Sequence, residues 1–214
     1  MPLSFRLCYA LAMLPEVFLK YAKIYQEHGF SLYMVGGSSR DFLLGIPFTD
    51  FDFATDATPE EEKAFVPQAS YSFSKYGSIS FHEGPLEIDI TTLREEGDYD
   101  DRRHPKTIRF IKDLEKDSIR RDFTINAIYI NHEGRVFDFH HGKEDLEAGL
   151  IRFIGDPIKR IQEDPLRILR AERFAKKLWF RIEEETRKAI EENRHLLDLL
   201  NPEKVKMERK KEGK

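Results

Sequence analysis

Apolar residues recur at Val17, Phe18, Tyr21, Ile24 and Tyr25. Steps of three and four put them on one face of a helix running from Pro15 to His28. Pro15 suits a first helical position, and Gly29 ends the run. The pattern then shortens. Leu32 to Val35 is a continuous apolar run of strand length that enters Gly36-Gly37 directly. "SSRDFLLG" predicts a brief helix, with Ser38 as cap and Gly45 as stop. Phe51 to Ala54 predicts the next strand. Thr58-Pro59-Glu60-Glu61 places a cap, a first-turn proline and a capping-box glutamate in order, which predicts a helix start.

Ser70 to Ser74 and Ser78 to His82 predict a hairpin around Tyr76-Gly77, followed by a strand over Leu86 to Leu93. "EEGDYDDRRHPK" is polar throughout and predicts a loop. A strand over Ile108 to Ile111 and a helix over "RDFTINAIYI" come next, then short elements around "RVFDFHHG" and "KEDLEAG". From Asp156 onward the periodicity is helical only. The expected class is α+β: a head with a small mixed sheet over residues 1–155, then an all-helical neck over 156–200. The basic tail, 201–214, has no apolar face and is expected to fray or to begin a further domain.

Charge adds little at the level of the whole chain. Of 214 residues, 35% are Asp, Glu, Lys or Arg, yet the formal net charge is only -4. Clustered arginines can still meet phosphate inside such a chain. Cys8 is the single cysteine, which excludes an intrachain disulfide and a cysteine-rich zinc site and suits the cytosol. The opening apolar run is short and meets Pro15 and Glu16 with no small-residue cleavage site, so no signal peptide is expected. No run is long enough to span a membrane.

The candidate chemistry begins at Asp50 and Asp52. Alternate strand residues share a face, so the two carboxylates stand roughly 6–7 Å apart at the base. Like charges at that spacing repel unless cations lie between them. Two Mg²⁺ ions about 3.5–4 Å apart are the arrangement of two-metal phosphoryl chemistry. Phe51 and Phe53 then face the core. Asp89 is the preferred third acid, with Glu87 on the same strand face as the fallback. Gly36 and Gly37 allow backbone N–H groups to approach a triphosphate at a helix start. Each feature has a plainer reading: solvated acids in a turn, a half-polar strand, an ordinary strand-to-helix connection.

Further along, Arg121, Asp122 and Asn126 are candidates for ribose and phosphate contacts, with Asp122 capping a helix and Asn126 one turn later. Asp164 and Arg167 lie three apart on a helix and could read the edge of a base. The same spacing is met by a surface salt bridge worth under about 1 kcal/mol. Arg167, Arg170 and Arg173 form a basic stripe suited to phosphates. His140-His141 diverge and have no nearby cysteine, so a metal role is not expected of them.

In this order, "VGGSSRD", "DFDFAT", "DITTLR", "YDDRRHP", "RRDFTINA", "FDFHHGKEDL" and "EDPLRILRAERFA" resemble the class II nucleotidyltransferases, the bacterial CCA-adding tRNA enzymes and their poly(A) polymerase relatives. The resemblance implies a catalytic head and a helical neck carrying a nucleotide-reading helix. It implies Asp50 and Asp52 as the metal pair and Asp89 as the third catalytic acid. Gly36, Gly37, Arg40, Asp41, Arg121, Asp122, Asn126, Arg170 and Arg173 fall in nucleotide-binding motifs. Glu163, Asp164 and Arg167 match the motif that selects ATP and CTP by hydrogen bonding, and Asp101, Arg102 and Arg103 match the flexible loop. Ser38-Ser39 stand where the family often has Ala or Cys and then Val. Family members continue into domains that grip tRNA, so a piece of a longer protein and a natural short form are both open. The implied activity is template-independent addition of CMP and AMP to a tRNA 3′ end. Poly(A) synthesis and a non-catalytic nucleotide- or RNA-binding module are the alternatives.

Overall fold

The structure, a computed structural model, describes residues 13–97 and 107–211. Cys8 and the loop candidates Asp101, Arg102 and Arg103 lie outside the described residues. The chain forms two compact units. The first takes residues 1–95, 108–118 and 126–139, and the second takes 96–107, 119–125 and 140–214.

In the first unit, α1 (Glu16–Glu27) leads to β1 (Leu32–Met34), α2 (Gly36–Leu44), β2 (Asp50–Thr55) and α3 (Pro59–Glu62). Then come β3 (Ser78–Glu83), β4 (Leu86–Thr92), β5 (Arg94–Glu96), β6 (Ile108–Phe110) and α4 (Leu114–Ile119), with β7 (Ile128–Ile130) and β8 (Val136–Asp138) last. Six strands make one sheet in the order β3-β4-β2-β1-β7-β8, and β5 and β6 form a separate pair. Within the large sheet β2 and β4 run parallel while the other neighbours are antiparallel. The apolar face of α1 buries Val17, Phe18, Tyr21, Ala22 and Tyr25, and the Phe18 ring meets Phe53 of β2 at 5.3 Å between centroids. On β2, Phe51 and Phe53 are buried as expected, with Asp50 and Asp52 on the opposite side.

Thr58 makes the capping box with Glu61. Gly45 ends α2 in the left-handed conformation. Other expectations need correction. The helix over 121–130 does not form: Thr124–Asn126 is one turn of 3-10 helix and Ile128–Ile130 is a strand. All three strand residues are buried, so no two-residue alternation marks them, and the β-branched Ile128 and Ile130 and the aromatic Tyr129 favour the sheet. The partner of β3 is β4, joined through Gly84, and Ser70 makes only an isolated bridge to Ser80. Ser38 is not a cap, because α2 already starts at Gly36.

The second unit holds α5 (Gly142–Ala148), β9 (Leu150–Ile151), α6 (Pro157–Glu163), α7 (Leu166–Leu178), β10 (Arg181–Ile182), α8 (Glu184–Asn193) and α9 (Pro202–Lys210). It is not helical only beyond Asp156, because β10 pairs in parallel with β9. Phe123 stacks on Phe153 at 5.0 Å and meets the edge of Phe174 at 5.6 Å. Asp156 caps α6 by accepting from Ile158 and Lys159 N–H. Among the described residues no helix is long and apolar enough to cross a membrane.

At the end of α7 the chain turns through Trp179, whose φ of 57° is left-handed. Phe180 then packs over Gly149, and its N–H donates to the Ala175 carbonyl at 3.0 Å. A glycine is the least strained residue at such a turn. A side chain there costs about 1–2 kcal/mol, and Trp179, 94% exposed, recovers little by burial. Trp179→Gly is therefore expected to raise stability by about 1 kcal/mol, measured by urea denaturation followed by circular dichroism; an unchanged or lowered midpoint would refute the strain.

Glu62 offers a second test. It is buried, accepts from the Tyr25 hydroxyl through Oε1, and leaves Oε2 without a hydrogen-bond partner among the described residues. Burial pushes its carboxyl up from 4.5 to about 8, against the opposing Tyr25 hydrogen bond. The folded chain thus holds a proton that the unfolded chain releases above its ordinary value. Stability from this group is full below that value and declines as pH rises through the folded one. Glu62→Gln keeps an acceptor for Tyr25 and removes the decline. Denaturation midpoints measured across that window should converge at the acidic end and favour the variant at the alkaline end; parallel curves would show that Glu62 does not titrate as described.

Candidate functional site

In the first unit, the parallel register of β2 on β4 sets Asp50 beside Glu87 and Asp52 beside Asp89. Ser80 and His82 of β3 continue the same rows. Four carboxylates therefore share one face of two adjacent strands. Asp50 is exposed and Asp52 half-buried. Partial burial of the carboxyl, then the charges of Asp52, Glu87 and Asp50, push Asp89 up to about 6, while His82 pulls the other way. Neither Asp50 nor Asp89 has a Lys or Arg ion-pair partner among the described residues.

The start of α2 is tied to this face. Gly37 N–H donates to Asp52 Oδ2 at 2.9 Å, so this amide is directed at the carboxylate. The Ser38 hydroxyl donates to the Asp50 carbonyl at 3.0 Å and accepts from Asp52 N–H at 2.6 Å. Val35 N–H reaches the Asp52 carbonyl at 3.0 Å. Gly36 has φ +69°, and a Cβ there would sit 2.8 Å from Asp52 Oδ2. Ser38 thus joins the candidate site, where the sequence pattern presented it only as a helix cap. Its signal is its position directly after the Gly36-Gly37 turn, ahead of a strand whose amide it could satisfy.

Arg40 and Asp41 are buried. Arg40 donates through Nε to Asp41 Oδ1 at 2.7 Å and through Nη1 to Asn126 Oδ1 at 2.9 Å. Asn126 thus belongs with Arg40 and not with a helix capped by Asp122. Carboxylate oxygens gathered on one strand face match what a hard divalent cation takes. Among the described residues, however, no three ligating side chains already converge on a common point.

A separate cluster lies in the second unit. Arg167, buried in α7, donates from Nε to Asp122 Oδ1 at 2.6 Å and from Nη1 to Glu163 Oε2 at 2.9 Å. Arg160 also reaches Glu163 Oε2, at 2.6 Å, and its Nη2 donates to the carbonyls of Arg120 and Arg121. Arg170 lies 2.9 Å from Asp122 Oδ2 and pairs with Asp164. Burial alone would raise the Asp122 carboxyl, but Arg170, Arg167 and Arg160 outweigh it and hold it down at about 2. The expected Asp164–Arg167 pair is therefore divided between two other partners. Arg173 does not continue a free basic stripe: it pairs with Glu208 at 3.1 Å and covers the Phe174 ring.

Residues 32–152 match the Poly A polymerase head domain family. The CCA-adding enzyme of Lactobacillus helveticus is 40% identical over 203 residues, covering 94% of this chain and 51% of that protein. That of Geobacillus thermodenitrificans is 43% identical over 186 residues, covering 86% and 46%. Among solved structures, Bacillus stearothermophilus CCA-adding enzyme in complex with CTP superposes with a TM-score of 0.83 at 35% identity, over 93% of this chain and 49% of that one. Thermotoga maritima CCA-adding enzyme complexed with tRNA gives 0.73 at 30% identity, over 97% and 49%. The chain spans about half the length of these relatives.

The glycine turn is testable without any ligand. Gly36→Ala should destabilise more than Gly29→Ala. Both glycines have positive φ, +69° and +81°, but only Gly36 has a carboxylate where the new methyl must go. Gly29→Ala should lose about 1–2 kcal/mol of backbone preference and Gly36→Ala clearly more, by urea denaturation; equal losses would mean that Asp52 yields at no cost.

Proposed function

The chain belongs to the Poly A polymerase head domain family, and on that premise we propose that it adds CMP and AMP to the 3′ end of tRNA without a template. The observation that supports this most directly is the row of Asp50, Asp52 and Asp89, with Gly37 N–H aimed at Asp52. In the proposed reaction the RNA 3′-hydroxyl forms a bond to the α-phosphorus of CTP or ATP. The bond from that phosphorus to the bridging oxygen breaks, and pyrophosphate leaves.

Asp50 and Asp52, with Asp89 beside them, would hold two Mg²⁺ ions. When bound, such ions favour the deprotonated hydroxyl and offset the charge on the leaving pyrophosphate. The work of the chain is positioning. The Ser38 hydroxyl fixes the backbone between Asp50 and Asp52, and the Gly37 amide orients the Asp52 carboxylate. Most of the rate advantage then comes from alignment and charge stabilisation.

We assign nucleotide selection to Glu163, Asp164 and Arg167. Asp122 and Arg170 supply counter-charges that hold them. Arg40, Asp41 and Asn126 keep α2 and the turn before β7 in register, and Arg121, Arg173 and the loop residues Asp101, Arg102 and Arg103 complete the assignment by family motif. Residues 1–155 would act as the head and 156–200 as the neck. The relatives' other half is the natural place for further tRNA contacts. Cytosolic tRNA is the intended partner.

Asp50→Ala or Asp52→Ala should abolish transfer in Mg²⁺ and excess tRNA while part of the CTP binding survives; turnover retained in either variant would remove the metal assignment. The product separates the readings. Uptake of C onto tRNA lacking its CCA end supports the proposal, and long A-tails without C point to a poly(A) polymerase. Nucleotide binding with no pyrophosphate release in the intact chain points to a binding module.

A further inference from the structure

Trp179 is the single tryptophan of the chain and is 94% exposed. It occupies a left-handed position that fold alone would give to glycine. Strain of this kind is retained where another demand outweighs it. Lys176 and Lys177 in the last turn of α7, and Arg181 just after it, are also exposed. No carboxylate pairs with these three among the described residues. Phe180 is turned over Gly149, so the indole is the exposed ring of this stretch, with the exposed cations Lys176, Lys177 and Arg181 close to it in sequence.

This composition discriminates among partners. A tryptophan that anchors a protein interface sits within an apolar surround that excludes water, and here the surround is charged. A flat ring with flanking cations is instead the pairing used on single-stranded nucleic acid. Bases stack on the ring whatever their identity, and the cations track the phosphates. We propose that Trp179, Lys176, Lys177 and Arg181 form a contact platform for unpaired nucleotides of RNA. A base stacks on the indole, and neighbouring phosphates meet the three cations. The proposal rests on the reading that the chain acts on RNA, and it adds a binding surface outside the carboxylate row.

The lone tryptophan makes its own emission the reporter. The full chain is titrated with a short labelled oligoribonucleotide of A and C, and with tRNA lacking its CCA end. Emission should be quenched saturably, and added salt should reverse the effect. Trp179→Gly should weaken binding of the labelled oligonucleotide about tenfold by anisotropy, as expected for losing one stacked base, and Trp179→Phe should restore most of it. The urea midpoint of Trp179→Gly, expected to rise, is measured alongside, so weaker binding in a variant with an unlowered midpoint is separated from unfolding.

RNA binding with unchanged emission, or with equal affinity in Trp179→Gly, would overturn the platform and leave the functional reading standing. Quenching by polyglutamate as strong as by RNA would overturn it in favour of an acidic protein. Absence of RNA binding together with absence of transfer would overturn both the platform and that reading.

Discussion

Two parallel strands lie side by side with acids in the same rows, and much of the first unit answers to that pairing. Asp50 meets Glu87 and Asp52 meets Asp89 with no Lys or Arg ion pair to Asp50 or Asp89 among the described residues. Repulsion of this kind works against the sheet unless the opposite face compensates. Phe51, Phe53, Ile88 and Ile90 do so, buried on the face away from the acids, with the Phe53 ring against Phe18 of α1. Alternation along a strand thus separates two tasks that one surface could not perform together: cohesion below and charge above.

The beginning of α2 holds the charged side in place. Ser38 and Gly37 use hydrogen bonds that an ordinary helix start would direct elsewhere, and both go to the segment between Asp50 and Asp52. The second unit treats its charges oppositely. Arg160, Arg167, Arg170 and Arg173 meet carboxylates within hydrogen-bond reach, and Asp122 serves two of them. One unit therefore presents negative charge that a bound cation would complete, while the other has settled most of its charge internally.

The sequence was most informative where the chemistry is local. The capping box at Thr58, the stop at Gly45 and the inward Phe51 and Phe53 follow from rules that act over a few residues. The carboxylate row was half legible: spacing paired Asp50 with Asp52, but only the register of β4 sets Asp89 beside Asp52 and Glu87 beside Asp50. Misreadings came where long-range packing decides. Ile128 to Ile130 are all buried and carry no alternation, and the helix expected over "RDFTINAIYI" gives way there to a strand. Arg167 reaches across 45 positions to Asp122, which neighbouring-turn spacing could not reveal, and a nearby Asp164 was the natural but wrong partner. The motif order nevertheless led to the family that the comparisons support, because motifs record chemistry even where local rules misassign an element.

The path of the chain between the units has a consequence for its synthesis. Each unit is assembled from three separate stretches. The strand that ends at Asp138 must emerge before the first sheet is complete, although β1 near the other end was made long before. Asp122, translated early, must wait for Arg167 and Arg170 before its charge is matched. A nascent chain paused between these points would carry an unmatched carboxylate and an unfinished sheet edge at once. Interleaving of this kind leaves no single peptide bond at which one cut would part the two units.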